Sequence, residues 1–424
     1  MLPQKILICL ITIYHLLLAD NLKGYQGYNK YTITYDDEDT FRYLLELQEN
    51  EANLNFWSLE SNMSIAVIKP DEQQMFEEYL NELKAKFKSR VLLDEIASLN
   101  FSTPAESNTD DVEFEKFRPK RQARGFFTHY PRYKEILNYM SILATRYPQN
   151  CRYESLGRSF EGRHIAALSI HRNNRIRDRR VVYIQGGAHG REWIAPLTVL
   201  YLANEMLGNL KTFERYLKDV EMYLVPLVNP DGYEYSHTSD RFWRKNRRQY
   251  PGRSCVGVDI NRNFANNWNR RGASSNLCSE VFAGIAPASE SETSAVVRYL
   301  EHNRNRVKLS IDVHSYGKFI FYPYGYSRTA YADTRNFLHG VATRAASQIA
   351  KYRGTLYRVG TSANILYEAS GGLDDFAYGN LGIPMSFTLE LPGENFHVPI
   401  TDILDVCKET FAGFIELIRH ATLF

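Results

Sequence analysis

The sequence predicts two folded units: an α/β domain of about 300 residues on a mostly parallel or mixed sheet, and before it a small α+β domain. Three observations lead there. From residue 125 onward, apolar β-type runs alternate with segments of helical periodicity. Residues 25–96 read in the order βαββαβ, the pattern of a small ferredoxin-like α+β sandwich. The charge also reverses between the two: residues 20–117 hold 21 Asp/Glu against 9 Lys/Arg, and residues 125–424 hold 37 Lys/Arg against 28 Asp/Glu.

The chain opens with Lys5 and an apolar run, Ile6–Leu18. That run is too short to span a bilayer, so residues 1–24 are expected to be a secretory signal peptide, cut between Ala19 and Gly24. No later run is long enough for a membrane span, and a secreted, extracellular protein is expected. In the first unit, 25–96, Tyr28–Tyr35 reads as a strand and Glu38–Glu49 as a helix. Asn55–Leu59 and Ser64–Lys69 are strands. Asp71–Lys88 reads as a helix with acids first and lysines last, matching its dipole. Arg90–Asp94 is a final strand. Asn62 and Asn100 head glycosylation sequons.

Residues 97–124 are polar and form a linker. They end in Arg118-Pro119-Lys120-Arg121-Gln122-Ala123-Arg124, which offers a furin-like site after Arg121 and a trypsin-like site after Arg124. Exposed linkers are where proteolysis concentrates, so processing there is expected. In the second unit, 125–424, the strands are Val181–Gln185, Glu221–Leu227, Leu309–His314, Phe319–Tyr324 and Met385–Leu391. The helices are Tyr133–Arg146, Ile194–Leu207, Ser289–Glu301, Arg335–Tyr352 and Ile403–His420. Opposite charge on the two units favours an acidic segment covering a basic one. No concentrated basic patch points to nucleic acid.

Cys9 leaves with the signal, and four cysteines remain for an oxidising compartment. Cys255 and Cys278 bracket a Gly/Asn/Arg-rich loop, which favours a local bridge. Cys151 and Cys407 then either pair or stay as buried free thiols.

Chemistry gathers at strand ends. Of eleven histidines only His189 has a glutamate three residues on, in His189-Gly190-Arg191-Glu192, just after an apolar run. His314 and Glu390 close two others. Two imidazoles and a carboxylate are the usual protein share of a catalytic zinc, and a further carboxylate completes a metal hydrolase. In open α/β sheets, ligands sit beyond the carboxyl ends of strands. Asn261 and Arg262, with Arg244 nearby in sequence, suit a grip on a terminal carboxylate through bidentate guanidinium contacts. Such a grip makes an exopeptidase.

These residues stand in an ordered set: Gly187-Ala188-His189-Gly190-Arg191-Glu192-Trp193, Val228-Asn229-Pro230-Asp231-Gly232-Tyr233, Asp259-Ile260-Asn261-Arg262-Asn263, Asp312-Val313-His314-Ser315-Tyr316, Leu366-Tyr367-Glu368-Ala369 and Thr388-Leu389-Glu390-Leu391. Across essentially its whole length the chain resembles the secreted zinc metallocarboxypeptidases of the pancreatic A/B type. That resemblance implies a three-layer α/β/α sandwich on an eight-stranded mixed sheet, with an activation segment blocking the cleft until cut. It implies one zinc on His189, Glu192 and His314, with Glu390 as general base and Arg244 as oxyanion stabiliser. Asn261, Arg262 and Tyr367 become the clamp on the terminal carboxylate, and Arg191, Ser315 and Tyr316 line the approach. The family's bridge matches Cys255–Cys278. Asp374 falls at the floor of the side-chain pocket, where an aspartate resembles the B-type enzymes that remove Lys or Arg. The alternatives are an A-type apolar preference and, more remotely, a catalytically silent binding protein. Two departures stand out: the Glu390–Pro399 stretch is short, leaving Phe396 as the candidate rim aromatic, and Gly317 replaces a bulkier polar residue.

Overall fold

Antiparallel pairing organises the first unit of the protein, whose computed structural model describes residues 22–51, 54–98, 125–172 and 179–423. The expected signal segment up to residue 21, both expected linker cleavage sites and the Asn100 sequon lie outside the described residues. Strands β1 (Asn29–Thr34), β2 (Leu54–Glu60), β3 (Met63–Ile68) and β4 (Lys86–Val91) form a sheet in the order β2-β3-β1-β4. Helix α1 (Glu38–Asn50) starts at Asp37, whose carboxylate accepts the Thr40 N–H at 2.6 Å. With α2 (Gln73–Glu82) it buries Phe41, Leu44, Phe76 and Leu80 against Tyr31, Ile33, Ala66 and Ile68 of the sheet. A further short helix, α3 (Leu92–Ser98), follows β4.

The helix expected over Asp71–Lys88 is shorter than that. It ends at Glu82, where Lys84 takes φ 54° and the Ala85 N–H closes onto the Leu80 carbonyl. The strand expected at Arg90 starts instead at Lys86 and pairs with β1. Lys86, Lys88 and Arg90 are thus charges on an exposed edge strand, a common guard against edge-to-edge pairing, rather than charges at a helix end. Phe87, between two of them, packs on the core.

The second unit is built on eight strands: β5 (Cys151–Arg158), β6 (His164–Ile170), β7 (Arg180–Gly186), β8 (Val220–Val225), β9 (Val307–Ser315), β10 (Phe319–Phe321), β11 (Arg358–Gly360) and β12 (Met385–Leu391). Their order is β11-β10-β12-β9-β7-β8-β6-β5. The central four, β12, β9, β7 and β8, are parallel, and β6, β5 and β10 run against their inner neighbours. Strands buried on both faces read as unbroken apolar runs. In β7, Val182 and Ile184 enter one core with α4 (Tyr133–Arg146), α5 (Ile194–Gly208), α9 (Arg335–Arg353) and α10 (Ile403–Ala421). Val181 and Tyr183 enter the other, under α8 (Ser291–Asn303). Helices α6 (Leu210–Leu217) and α7 (Pro230–Thr238) flank β8. The β5–β6 hairpin was not anticipated: edge strand β5 is largely exposed and carries no apolar run, whereas β6 carries the buried run Ile165–Leu168 that could have marked it. Cys255 and Cys278 are bridged, while Cys151 and Cys407 are free, buried thiols.

Candidate metal centre

The carboxyl ends of β7, β9 and β12 lie side by side, and the site forms across them. In the parallel pairing of β9 with β12, His314 is the register partner of Glu390. His189 arrives from the turn after β7. That turn is fixed by Asn229, at the start of α7, whose amide donates to the carbonyls of Ala188 (2.9 Å) and Lys245 (3.1 Å) and whose oxygen accepts the Gly232 N–H. Gly190 presses so close to Gly232 that a Cβ there would lie 2.4 Å from its carbonyl oxygen. This contact explains the glycine inside the His-x-x-Glu element.

His189, Glu192 and His314 are each at most 3% exposed, and one ligand atom from each lies within 4.8 Å of the others. The two Nδ1 atoms are 3.2 Å apart, and the Glu192 oxygens sit 2.6 Å from His189 Nδ1 and 3.0 Å from His314 Nδ1. Both Nε2 atoms face carboxylates instead: Asp259 at 3.0 Å from His189 and Asp312 at 2.9 Å from His314. The inward nitrogens are therefore the ones left to a cation. Two imidazoles and a carboxylate, buried and converging, are the donor set of a catalytic zinc with an open fourth position. Burial opposes ionisation of Glu192, but the two imidazoles outweigh it and hold the carboxyl well below its usual range.

Around this centre stand the other sequence-predicted residues. Arg244 donates two hydrogen bonds to Asp259 Oδ2, at 3.0 and 2.7 Å. The Asn261 side chain lies between His314 and the Leu373 N–H. Arg262 donates to the Gly272 and Asn261 carbonyls and reaches the Tyr367 hydroxyl at 3.4 Å. Asp374 is buried, accepts the Asp375 N–H at 2.9 Å and meets the Thr388 hydroxyl. Burial raises its pKa, and no arginine or lysine pairs with it among the described residues. Asp375 is turned away, accepting the N–H groups of Gly325 and Tyr326. Arg191 lies over the ring of Phe396, which packs edge-on to Tyr316. The hydroxyls of Ser315 and Tyr316 are buried without a hydrogen-bond partner among the described residues. Sequence reasoning missed Asp259 and Asp312 as partners of the histidines. A usable signal existed for Asp312: it precedes His314 by two residues, so both leave the same face of the strand.

Glu390 keeps some exposure to the cleft yet is crowded by protein. Burial pushes its carboxyl up to about 8; His314 and Arg244 pull it down, and Glu192 and Asp312 push it up. An unfolded glutamate ionises near 4.5, so the protonated side chain favours the folded, metal-free state most below that pH. The contribution shrinks as pH rises and is gone above about 8. Metal-free Glu390→Gln is expected to lose less stability than wild type between about pH 5 and 8, with a higher melting temperature at neutral pH. Equal slopes in thermal melts would contradict this.

The first unit sits on this cleft. The Gly272 N–H donates to the Glu49 carboxylate at 2.7 Å. Ser279 and Asn276 donate to the Gln48 and Asn50 carbonyls, and Ser274 donates to the Glu49 carbonyl. Arg191 reaches Asn55 at 3.3 Å. Trp57 packs on Phe242 and Phe396, and Tyr367 packs against the core of the first unit. Glu38 with Arg328 and Glu60 with Arg358 realise the opposite charges as rim pairs, which contribute little individually.

Residues 136–413 match the zinc carboxypeptidase family, and residues 31–92 match the carboxypeptidase activation peptide. Carboxypeptidase B of Astacus astacus is 37% identical over 291 residues, covering 68% of this chain and 95% of that protein. Carboxypeptidase A2 of Mus musculus is 32% identical over 394 residues, covering 91% of each. Among solved structures, the carboxypeptidase A of Helicoverpa armigera superposes with a TM-score of 0.83 at 28% identity, covering 94% of this chain and 98% of that one.

Proposed function

Since the chain belongs to the zinc carboxypeptidase family and carries that family's activation peptide, we propose that it is a secreted zymogen whose mature enzyme removes C-terminal Lys or Arg. The observation that supports this preference is Asp374, a buried carboxylate that no arginine or lysine pairs with among the described residues. Burying a charge unpaired costs several kcal/mol, on the order of the penalty measured for isolated ions in proteins, so the pocket favours a ligand that brings the opposite charge. The relatives do not decide the matter, because both A- and B-type enzymes are among them.

In this reading His189, Glu192 and His314 hold the zinc, which when bound supplies a Lewis acid and makes water acidic enough to react near neutral pH. Glu390, register partner of His314, takes the proton of the attacking water and returns it to the leaving amine. Arg244, fixed by two bonds to Asp259, offers its remaining N–H groups to the oxyanion. Asn261, Arg262 and Tyr367 grip the terminal carboxylate, and Arg191, Ser315 and Tyr316 line its approach.

The contacts of Asn55 with Arg191 and of Trp57 with Phe396 support reading the first unit as a cover over the approach to the site. Limited trypsin digestion of the purified chain is expected to raise hydrolysis of a peptide ending in Arg at least tenfold, with a new N-terminus after Arg121 or Arg124. Full activity before digestion would sink the zymogen reading.

A further inference from the structure

We propose that Asp312 is a positioning residue of the metal centre, holding the His314 ring with Nδ1 toward the metal as Asp259 holds His189. The proposal rests on reading the site as a zinc centre. Asp312 is fully buried, and its Oδ2 lies 2.9 Å from His314 Nε2. Its other oxygen accepts from the Gln185 amide at 3.0 Å, and Gln185 in turn accepts from the Tyr183 hydroxyl at 2.8 Å. Gln185 is the register partner of Asp312 across β7 and β9. The carboxylate is thus braced from the neighbouring strand and cannot swing away from the imidazole.

Two groups compete for Nε2 of His314. Asn261 Nδ2 is 3.3 Å away, and its amide orientation is set because its oxygen accepts the Leu373 N–H. An amide donor calls for a lone pair on Nε2, which puts the ring proton on Nδ1 and closes that atom to a metal. A carboxylate calls for Nε2–H and leaves the Nδ1 lone pair free. Asn261 makes the aligned contact, but Asp312 Oδ2 is closer at 2.9 Å, charged, buried and without a hydrogen-bond partner among the described residues, so as an ion-pair contact it favours a proton on Nε2 over a bare lone pair there. It therefore selects the tautomer that can bind. Its position differs from that of Asp259, whose charge is shared with Arg244; no arginine or lysine pairs with Asp312 among the described residues.

The test uses the full chain and no substrate. Zinc affinity is measured by competition with a chelator for wild type, Asp312→Asn, Asp312→Ala and, as reference, Asp259→Asn. Circular dichroism and melting of the metal-free proteins check their folding. Both Asp312 variants are expected to bind zinc about 10–100-fold more weakly, the usual effect of losing such a partner. Wild-type affinity in both overturns the proposal. Should neither variant fold, the ring is read directly in zinc-loaded wild type labelled with ¹⁵N-histidine. A slowly exchanging Nε2–H of His314 supports the assignment, and a ring protonated at Nδ1 overturns it. A wild-type chain that binds no zinc at all overturns the metal reading itself, which keeps the two failures apart.

Discussion

Glu390→Gln is expected to lower kcat for a peptide ending in Arg about 10²–10⁴-fold, the usual contribution of a positioned general base. The amide keeps the size of the side chain but cannot take a proton. Zinc affinity is expected to stay within a few-fold of wild type, because the ligands are His189, Glu192 and His314 and Glu390 is outside the set. KM is expected to change little, since the clamp residues Asn261, Arg262 and Tyr367 are untouched. The raised carboxyl of the metal-free site does not conflict with this role. A divalent cation held by its register partner His314 adds positive charge nearby and favours the ionised, proton-accepting form. Stopped assays on the trypsin-treated variant give the answer, and activity within tenfold of wild type would remove Glu390 from the chemistry.

Asp374→Ala is expected to reverse the order of substrates. Truncating one partner of a buried, hydrogen-bonded charge pair costs about 2–5 kcal/mol, so kcat/KM for a C-terminal Arg should fall roughly 30-fold to several thousand-fold. For a C-terminal Phe it should hold or rise, because a buried carboxylate without a partner no longer has to be desolvated. The ratio of the two rate constants, measured on matched peptides, is the readout. An unchanged preference for Arg over Phe would falsify the assignment of the pocket. If only the activity on Arg falls, with no gain on Phe, Asp374 still determines the preference, and apolar side chains are then excluded by the shape of the pocket.

The architecture was legible because parallel strands buried on both faces leave unbroken apolar runs, and β7, β9 and β12 carry such runs straight to His189, His314 and Glu390. The His-x-x-Glu element was legible for the same reason, since its turn follows a strand end. What was hidden depends on partners distant in sequence. Nothing near Lys86 says that it belongs to an edge strand pairing with β1, so its lysines passed for helix-end charges. Edge strand β5 was hidden by its exposure. Asp259 is 70 residues from His189, and only the fold shows that one carboxylate serves both that histidine and Arg244. Phe396 illustrates a third case: the short stretch after Glu390 left its place open, and it lies as a shelf for Arg191 under Trp57.

The latch between the two units is written largely in main chain. Three consecutive carbonyls, those of Gln48, Glu49 and Asn50, receive donors from Ser279, Ser274 and Asn276, the last two on the loop bridged by Cys255 and Cys278 and Ser279 just after it. Every residue type offers the same carbonyl, so mutational drift at the end of α1 is read by the helix it permits more than by the side chain it presents. On the proposed zymogen reading, the grip survives sequence change in the first unit, while the side chains it depends on are the two serines and the asparagine of the second.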